Sequence, residues 1–294
     1  ENVTALVLDR TRRPQQPGEP RKAFAAAVAE AIMEKTLAAD SDLWASLLEA
    51  ITDIGKGRHL LVFTKDDELQ RVVEEIGWGG EIRSHEGDYL MIVDASVRST
   101  KLNLVLEEDI RVDVNLTAGG DAENVVTLHY EDRREERTPQ GYPELAKRLT
   151  RTYGGYVRLL APEGAQLKDI HVDGEFVSPE EVIREFDRIS FGRFFRIPKN
   201  GSTSVSFRYQ LPGVVIRDGE AYEYVLTLQK QPGQGDLPVS VRISLPAGAT
   251  DVTVKLDDVE VEGSNAGAPA ANALELELEL DTDRVVSVRY RLPG

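Results

Sequence analysis

The chain contains no cysteine, and this absence removes several kinds of chemistry. Disulfide bonds, thiol catalysis and thiolate metal sites all need the cysteine sulfur, so none of them operates here. A chain of 294 residues without a thiol is also more typical of an exported protein that needs no disulfide bonds. The missing cysteines therefore favour export over a cytosolic location.

Long apolar runs and an excess of positive charge are missing as well. No stretch approaches the roughly 20 apolar residues that a membrane-spanning helix needs. The 35 basic and 51 acidic residues give a net charge of −16, which disfavours binding to nucleic acid or to an anionic bilayer. A hydrophobic fraction of 41% and a charged fraction of 29% are those of a folded globular protein.

Catalytic and metal-binding motifs are scarce. The four histidines share no ligand spacing, and no G-x-S-x-G nucleophile motif occurs. We therefore expect no metal and no cofactor, and a non-enzymatic role is favoured. Asp88 and Asp94 flank an apolar strand, where we interpret them first as turn and cap residues. The alternative is an acid/base or metal site, if the two carboxylates meet at one sheet edge.

The first hundred residues mix helical and strand patterns. The spacing of apolar residues predicts helices over 24–35 and 44–54 and a third, short helix capped by Asp66. Apolar runs over 59–64 and 89–93 predict buried strands. This part of the chain is therefore predicted to be a small mixed domain.

Beyond about residue 100 the period changes from that of a helix to that of a strand. Apolar and polar residues alternate over 110–116, 126–130, 205–211 and 274–280. Such strands bury one face and expose the other, as in antiparallel sheets and sandwiches. The second half of the chain is therefore predicted to be all-β.

Two segments of this β region return later in the chain in the same order. Residues 157–165 resemble 241–249, and residues 205–213 resemble 286–294. Paired segments at nearly the same offset indicate two tandem copies of one β unit.

The predicted fold class is α+β, with three domains. A small mixed α/β domain covers 1–105, and tandem antiparallel β-sandwich domains of immunoglobulin-like type cover 106–215 and 216–294. The last domain repeats part of the one before it. A capping-box pattern at 178–181 predicts a short helical insertion over 179–186 in the first sandwich.

Arginine and aromatic residues are densest over 184–196, from the end of this insertion onward. One interpretation is a contact with a partner or a glycan, made by stacking and cation–π interactions. The residues assigned to that contact are Arg184, Arg188, Phe191, Arg193 and Phe194. The interpretation that we favour is a core strand with an exposed basic face, because aromatic residues at strand spacing usually fill cores.

Several motifs occur in an order that resembles a known family. They are Gly77-Trp78-Gly79-Gly80, Gly87-Asp88-Tyr89-Leu90-Met91-Ile92-Val93-Asp94, Tyr209-Gln210-Leu211-Pro212 and Gln229-Lys230-Gln231-Pro232-Gly233. Together they resemble the C-terminal half of an uncharacterised bacterial envelope family, catalogued as domain of unknown function number 4012. The resemblance implies an extracellular or cell-surface body from a membrane-anchored precursor, without its anchor here. It implies no catalytic residue.

A shorter resemblance lies at the beginning of the chain. Asn2-Val3-Thr4-Ala5-Leu6, the following arginines and Arg21-Lys22-Ala23-Phe24 are similar to the end of glycopolymer ligases of the LytR–CpsA–Psr type. Arginines of that family hold a lipid pyrophosphate, so the resemblance implies binding through Arg10, Arg12, Arg13 and Arg21, with Asp88 as an acid.

Two functions follow from these observations. The preferred one is a non-enzymatic module of the bacterial envelope that is structural, adhesive or self-assembling, such as a filament subunit. Its expected partners are the protein itself, other envelope proteins or glycans, and a membrane only through an anchor that this chain lacks. The alternative is part of an envelope glycopolymer-transfer enzyme. Because the chain begins at Glu1 within apparent structure, we expect a portion of a longer precursor.

Overall fold

The computed structural model describes residues 3–11, 23–38, 41–98, 101–261 and 273–293. It has an α+β fold in which strands predominate. The helices are α1 (Val3–Arg10), α2 (Ala23–Leu37), α3 (Ser41–Lys56), α4 (Asp67–Glu75), α5 (Arg134–Arg137) and α6 (Pro143–Arg148), with a 3₁₀ turn at Leu102–Leu104. In the described part of the chain, no helix has the length and apolar character needed to cross a membrane.

The strands follow the predicted alternation closely. They are β1 (Asp88–Ser96), β2 (Leu106–Leu116), β3 (Ala122–Asp132), β4 (Tyr153–Pro162), β5 (Gln166–Val172), β6 (Glu175–Val177), β7 (Glu181–Glu185), β8 (Arg188–Ile197), β9 (Ser202–Leu211), β10 (Ile216–Asp218), β11 (Ala221–Gln229), β12 (Pro238–Ser244), β13 (Thr250–Leu256), β14 (Val259–Glu260), β15 (Ala273–Glu279) and β16 (Arg284–Arg291). The alternating segments of β2, β3, β9 and β15 are therefore confirmed as strands.

Two mixed sheets contain all of these strands. The first sheet has the order β14-β13-β16-β11-β1-β4-β8-β7, with β10 paired to β11. The second sheet has the order β15-β12-β2-β3-β9-β5-β6. One hydrophobic core lies between the two sheets, where for example the rings of Phe191 and Tyr209 lie 6.2 Å apart. The inward residues of each strand thus pack against the other sheet.

The repeat in the sequence is matched by a repeat in strand pairing. In the first unit, β4 pairs with β8, and β5 pairs with β9 and β6. In the second unit, β12 pairs with β15, and β13 pairs with β16 and β14. The sheets are exchanged between the units, because β4 lies in the first sheet and its counterpart β12 in the second.

Equivalent turns of the two units make the same hydrogen bonds. The Asp173 amide donates to the Ser204 carbonyl (2.9 Å), and the Asp173 carboxylate accepts from the Ser204 amide (2.8 Å). Asp257 makes both bonds to Val285, each at 2.8 Å. Both aspartates have a positive φ, of 52° and 51°. The two copies therefore agree in backbone geometry as well as in strand order.

The two units meet at β1 and β2, the central strands, and we call this region the seam. β1 runs antiparallel to β4 and parallel to β11. β2 runs antiparallel to β3 and parallel to β12. Since each sheet contains strands of both units, separate immunoglobulin-like sandwiches are not confirmed. The parallel pairs also make the sheets mixed, where the alternation had suggested purely antiparallel ones.

The predicted helical insertion over 179–186 is wrong. Residues 181–185 form strand β7, which pairs antiparallel with β8. Phe186 and Asp187 connect the two strands with φ values of 52° and 55°, the left-handed conformation of a tight hairpin turn. The capping-box pattern favours a helix locally, but Val182 and Ile183 suit a strand, and pairing with β8 decides the outcome.

The helices of the first hundred residues are confirmed, but the predicted strand over 59–64 is wrong. α2, α3 and α4 lie where the periodicity placed them, and Asp66 caps α4 by accepting from the amides of Glu68 and Leu69. Residues 59–64 pair with no strand of the described chain. Their Val62 amide donates to the Trp78 carbonyl instead (2.9 Å). Without neighbouring strands this apolar segment cannot join either sheet.

Candidate functional site

A cleft of about 920 Å³ opens at the seam, beside the ends of β1 and β2. We call it the seam cleft. Its walls come from both sheets and from the loop over 230–237, which connects β11 of the first sheet to β12 of the second. The volume lies within the range of roughly 300–1,000 Å³ that small-ligand sites occupy. The seam thus supplies both a concave surface and side chains from several elements.

Asp94 on β1 lies at the floor of the seam cleft. Burial raises the pKa of Asp94 to about 6, although the neighbouring Tyr130 hydroxyl favours the charged form. Both carboxylate oxygens are buried, and neither has a well-aligned hydrogen-bond partner among the described residues. The Gln231 side chain holds the backbone of Asp94, accepting from its amide (2.7 Å) and donating to its carbonyl (3.0 Å). Asp94 is thus fixed in position while its carboxylate keeps unused acceptors.

Glu108 on β2 lines the same cleft from the opposite sheet. Burial, and then the charge of Asp94, raises the pKa of Glu108 to about 7. The Gln234 side-chain amide donates to the Glu108 carboxylate at 2.9 Å. The two carboxyl groups therefore titrate as a coupled pair close to neutral pH.

Two tyrosines complete the polar group around the carboxylates. Burial raises the pKa of Tyr130 well above its usual value, and the charges of Asp94 and Glu108 raise it further. The pKa of Tyr153 is raised by the same causes in the same order. Both hydroxyls therefore stay protonated at any physiological pH and can act as hydrogen-bond donors.

Gln231 and Gln234 lie on one loop, and a buried lysine holds this loop in place. The Lys230 amine donates to the carbonyls of Gly57 (2.9 Å) and Gln234 (2.8 Å), and only 1% of this lysine is exposed. The Gly233 amide donates to the Arg58 carbonyl at 3.0 Å. The helical N-terminal region thereby braces the loop that forms one wall of the seam cleft.

Side chains of both charges line the rest of the seam cleft. The basic ones are Arg98, Lys101, Arg137 and Arg148, and the acidic ones are Glu107, Asp236 and Glu279. Arg137 lies 3.4 Å from the Glu107 carboxylate. The cleft therefore offers both donors and acceptors of hydrogen bonds. In the described ranges no group of three or more His, Asp or Glu residues could hold a metal ion.

This arrangement supports two kinds of chemistry. With pKa values of about 6 for Asp94 and about 7 for Glu108, the two carboxyl groups differ in protonation near neutral pH, so that a charged one accepts hydrogen bonds while a protonated one can donate. Such a pair, with amide and hydroxyl groups nearby, suits a ligand that carries many hydroxyl groups. The same pair can also move a proton in acid–base catalysis.

Asp88 does not join this site. It is fully buried between the sheets, where its carboxylate accepts from Tyr224 (2.8 Å), Asn124 (2.8 Å) and its neighbour's amide. Burial raises its pKa to about 6. Asp88 and Asp94 occupy one strand with about 20 Å between them, so the two carboxylates do not meet at one sheet edge. Asp88 therefore joins strands in the core.

The N-terminal arginines are only partly described. Arg10 is exposed at the end of α1. Arg12, Arg13 and Arg21 lie outside the described residues. Pyrophosphate binding by this group therefore stays a prediction.

The Arg/aromatic segment divides between core and surface. Phe191 is 0% exposed in the core, and Arg188 is buried with its guanidinium 4.3 Å from the centre of the Tyr89 ring. Neither residue can contact a partner from there. Arg184, Arg193 and Phe194 keep surface positions, and Phe194 is 47% exposed.

Sequence reasoning missed Glu108, Gln231 and Gln234. One signal was present for Glu108, because it stands in phase with the inward residues Leu106 and Ile110 of β2. A carboxylate at an inward position of a central strand is unusual, since burial of a charge is costly. Gln231 stands in one of the motifs that carry the family resemblance, but that motif assigns it no role, and no pattern marks Gln234.

Comparisons with known proteins do not assign this chain to a family. No family model and no curated protein matches the chain. A Legionella pneumophila structure described as a nutrient binding protein matches at 7% identity and a TM-score of 0.39, over 69% of this chain and 71% of that one. An M1 zinc metallopeptidase from Deinococcus radiodurans matches at 9% identity and a TM-score of 0.33, over 62% of this chain and 42% of that one.

Native leukotriene A4 hydrolase from Saccharomyces cerevisiae gives a similar result. It matches at 9% identity and a TM-score of 0.31, over 66% of this chain and 32% of that one. The chain thus spans less than half the length of either enzyme. With TM-scores below 0.5, we draw no inference about fold or function from these similarities.

Proposed function

We propose that this chain is a non-enzymatic, extracellular module of the bacterial envelope that binds a glycan in the seam cleft. The single observation that carries the binding site is the Asp94 carboxylate, whose buried oxygens lie at the cleft floor without a well-aligned partner among the described residues. A buried acceptor of this kind is costly unless a donor satisfies it. Hydroxyl groups of a sugar are suitable donors.

The other groups of the cleft fit the same ligand class. Glu108 accepts when charged and donates when protonated, and the Tyr153 hydroxyl is a permanent donor. Sugars carry hydroxyl groups that both donate and accept, so mixed linings of this kind match them. The location in the envelope rests on the sequence resemblance and on the absence of cysteine.

Binding can be tested with two matched variants. Glu108→Gln removes the acceptor charge at the cleft, whereas Glu123→Gln makes the same change at an exposed position of β3. A panel of immobilised neutral and acidic oligosaccharides is screened at pH 8, and the strongest binder is titrated calorimetrically. Glu108→Gln should weaken binding about tenfold or more, and Glu123→Gln should not. Equal affinity of wild type and Glu108→Gln, or no binding at all, would contradict the proposal.

Acid–base catalysis on the bound glycan is a second candidate, favoured by the pKa values of about 6 and 7 for Asp94 and Glu108. The release of new reducing ends from the bound oligosaccharide measures it. An acid–base role predicts a loss of about 100-fold or more in Glu108→Gln. If wild type releases no reducing ends over days, the module is not a glycosidase.

Self-assembly, which the sequence analysis expects of such a module, stays a prediction with a test of its own. Light scattering and electron microscopy of the same purified sample measure it directly. Ordered oligomers or filaments would identify a structural subunit, whereas a monodisperse monomer at high concentration would exclude assembly by this chain alone.

A further inference from the structure

A second cavity lies beside the seam cleft. This groove has a volume of about 650 Å³ and runs along the end of β8, facing β5 and β6 of the other sheet. Arg98 lines both the groove and the seam cleft, so the two cavities adjoin each other. A ligand that extends past Arg98 from the cleft would enter the groove.

The charge of the groove differs from that of the whole chain. Arg98, Arg193 and Arg196 line it, and no acidic residue does, although the chain has a net charge of −16. Arg193 donates to the Glu180 carboxylate at 3.0 Å. Among the described residues, neither Arg98 nor Arg196 forms an ion pair with an acidic side chain. Two guanidinium groups are thus available to an anion, which they can bind in a bidentate manner.

Apolar side chains stand next to these arginines. Phe194 is 47% exposed, and its ring lies 4.4 Å from that of Tyr156, which supports it from one side. Val97 is 50% exposed on the other wall. An exposed aromatic face beside arginines offers the apolar surface on which a sugar ring stacks, with donors for a charged substituent.

We propose that this groove binds the anionic group of an acidic glycan whose other sugar residues lie in the seam cleft. The inference rests on the proposed glycan-binding function and adds the ligand's charge to it. A carboxylate on a sugar and a phosphate between sugars share the chemistry that the two free arginines recognise. Arg98 would contact the ligand at the junction, and Arg196 only within the groove.

The test compares charged and neutral probes on the full chain. Oligogalacturonate supplies carboxylates, an oligosaccharide of mannose units joined by phosphodiesters supplies phosphates between sugars, and neutral galacto-oligosaccharide is the uncharged reference. Arg196→Gln removes a groove cation, and Arg217→Gln removes an exposed cation of β10 that lines neither cavity. Wild type should prefer one of the anionic probes. In Arg196→Gln, the affinity for the preferred anionic probe should fall about tenfold, while the affinity for the neutral probe stays that of wild type. Arg217→Gln should match wild type for every probe.

The outcomes separate the two proposals. If Arg196→Gln binds the anionic probes as wild type does, the groove is not the anion site, and the glycan-binding function can still hold. If wild type binds the neutral probe as tightly as both anionic ones, the groove proposal also fails. If wild type binds none of the three probes, both proposals fail. Thermal unfolding of each variant confirms that the substitution leaves the fold intact.

Discussion

Asp94 on β1 and Glu108 on β2 share the floor of the seam cleft, where burial and then the charge of Asp94 raise the pKa of Glu108 to about 7. Both residues occupy inward positions of the two strands at which the repeat units meet. Hydrophobic residues at these positions would extend the core. The carboxylates instead leave a polar cleft at the middle of the molecule, and a loop with two glutamines closes one side of it.

The first prediction concerns the stability cost of Glu108. In the unfolded chain its pKa is 4.5, and in the folded protein it is about 7. Between these values the native state holds a proton that the unfolded state has lost, so the free energy of unfolding falls as pH rises through this window. As pH rises from 4 to 8, the free energy of unfolding of Glu108→Gln should therefore rise by about 3 kcal/mol relative to that of wild type.

Urea unfolding of wild type and variant across this pH range measures the difference. Glu123→Gln is the control, and its difference from wild type should stay constant with pH because that side chain is exposed. A constant difference for Glu108→Gln would show that the folded state does not bind the extra proton at this residue.

The second prediction concerns the equivalent turns of the two units. Asp173→Ala and Asp257→Ala each remove an acceptor for a backbone amide and place alanine at a positive φ. Each should lower the free energy of unfolding by about 1–3 kcal/mol. Asp257→Ala should cost more, because Asp257 also pairs with Arg284 at 2.7 Å.

The matched variant is Asp173→Asn, which keeps the acceptor and tolerates the left-handed conformation. It should lie within about 0.5 kcal/mol of wild type in chemical denaturation. If Asp173→Asn is as destabilised as Asp173→Ala, the loss is due to charge and not to the turn hydrogen bond.

The third prediction concerns the lysine that holds the cleft loop. Lys230→Met should leave the carbonyls of Gly57 and Gln234 without this donor and lower the free energy of unfolding by about 1–3 kcal/mol. Hydrogen exchange should accelerate in the loop over 230–237, because its inner anchor is lost. Lys255→Met on the exposed side of β13 is the matched control. Unchanged exchange in the loop of Lys230→Met would exclude this anchoring role.

The fourth prediction concerns the turn that precedes β1. Gly87 has a φ of 80°, and a Cβ atom there would lie 2.7 Å from the Val225 carbonyl oxygen. Gly87→Ala therefore combines backbone strain with a clash against backbone, and should cost about 3 kcal/mol or more. Gly219 has a φ of 63° and open space around it, so Gly219→Ala should cost only about 1 kcal/mol. Equal thermal shifts for the two variants would show that the contact with Val225 is unimportant.

Local patterns were reliable where one chain segment decides its own conformation. The helical spacing placed α2, α3 and α4, and the capping position of Asp66 is confirmed. The same reasoning was wrong for 179–186 and 59–64, where the outcome depends on whether a partner strand is present. β7 has β8 beside it, and residues 59–64 have no strand in the described chain.

The sequence by itself determined the alternating strands β2, β3, β9 and β15, their inward faces and the presence of two related units, because alternation and similarity can be read along the chain. Only the tertiary structure decided that 157–165 and 241–249 lie in different sheets, and that the units join through parallel pairs at β1 and β2. Sheet neighbours are contacts between distant residues, and the alternating pattern is the same in either sheet. The meeting of Asp94 with Glu108 depends on those contacts, so the cleft became visible only in the folded chain.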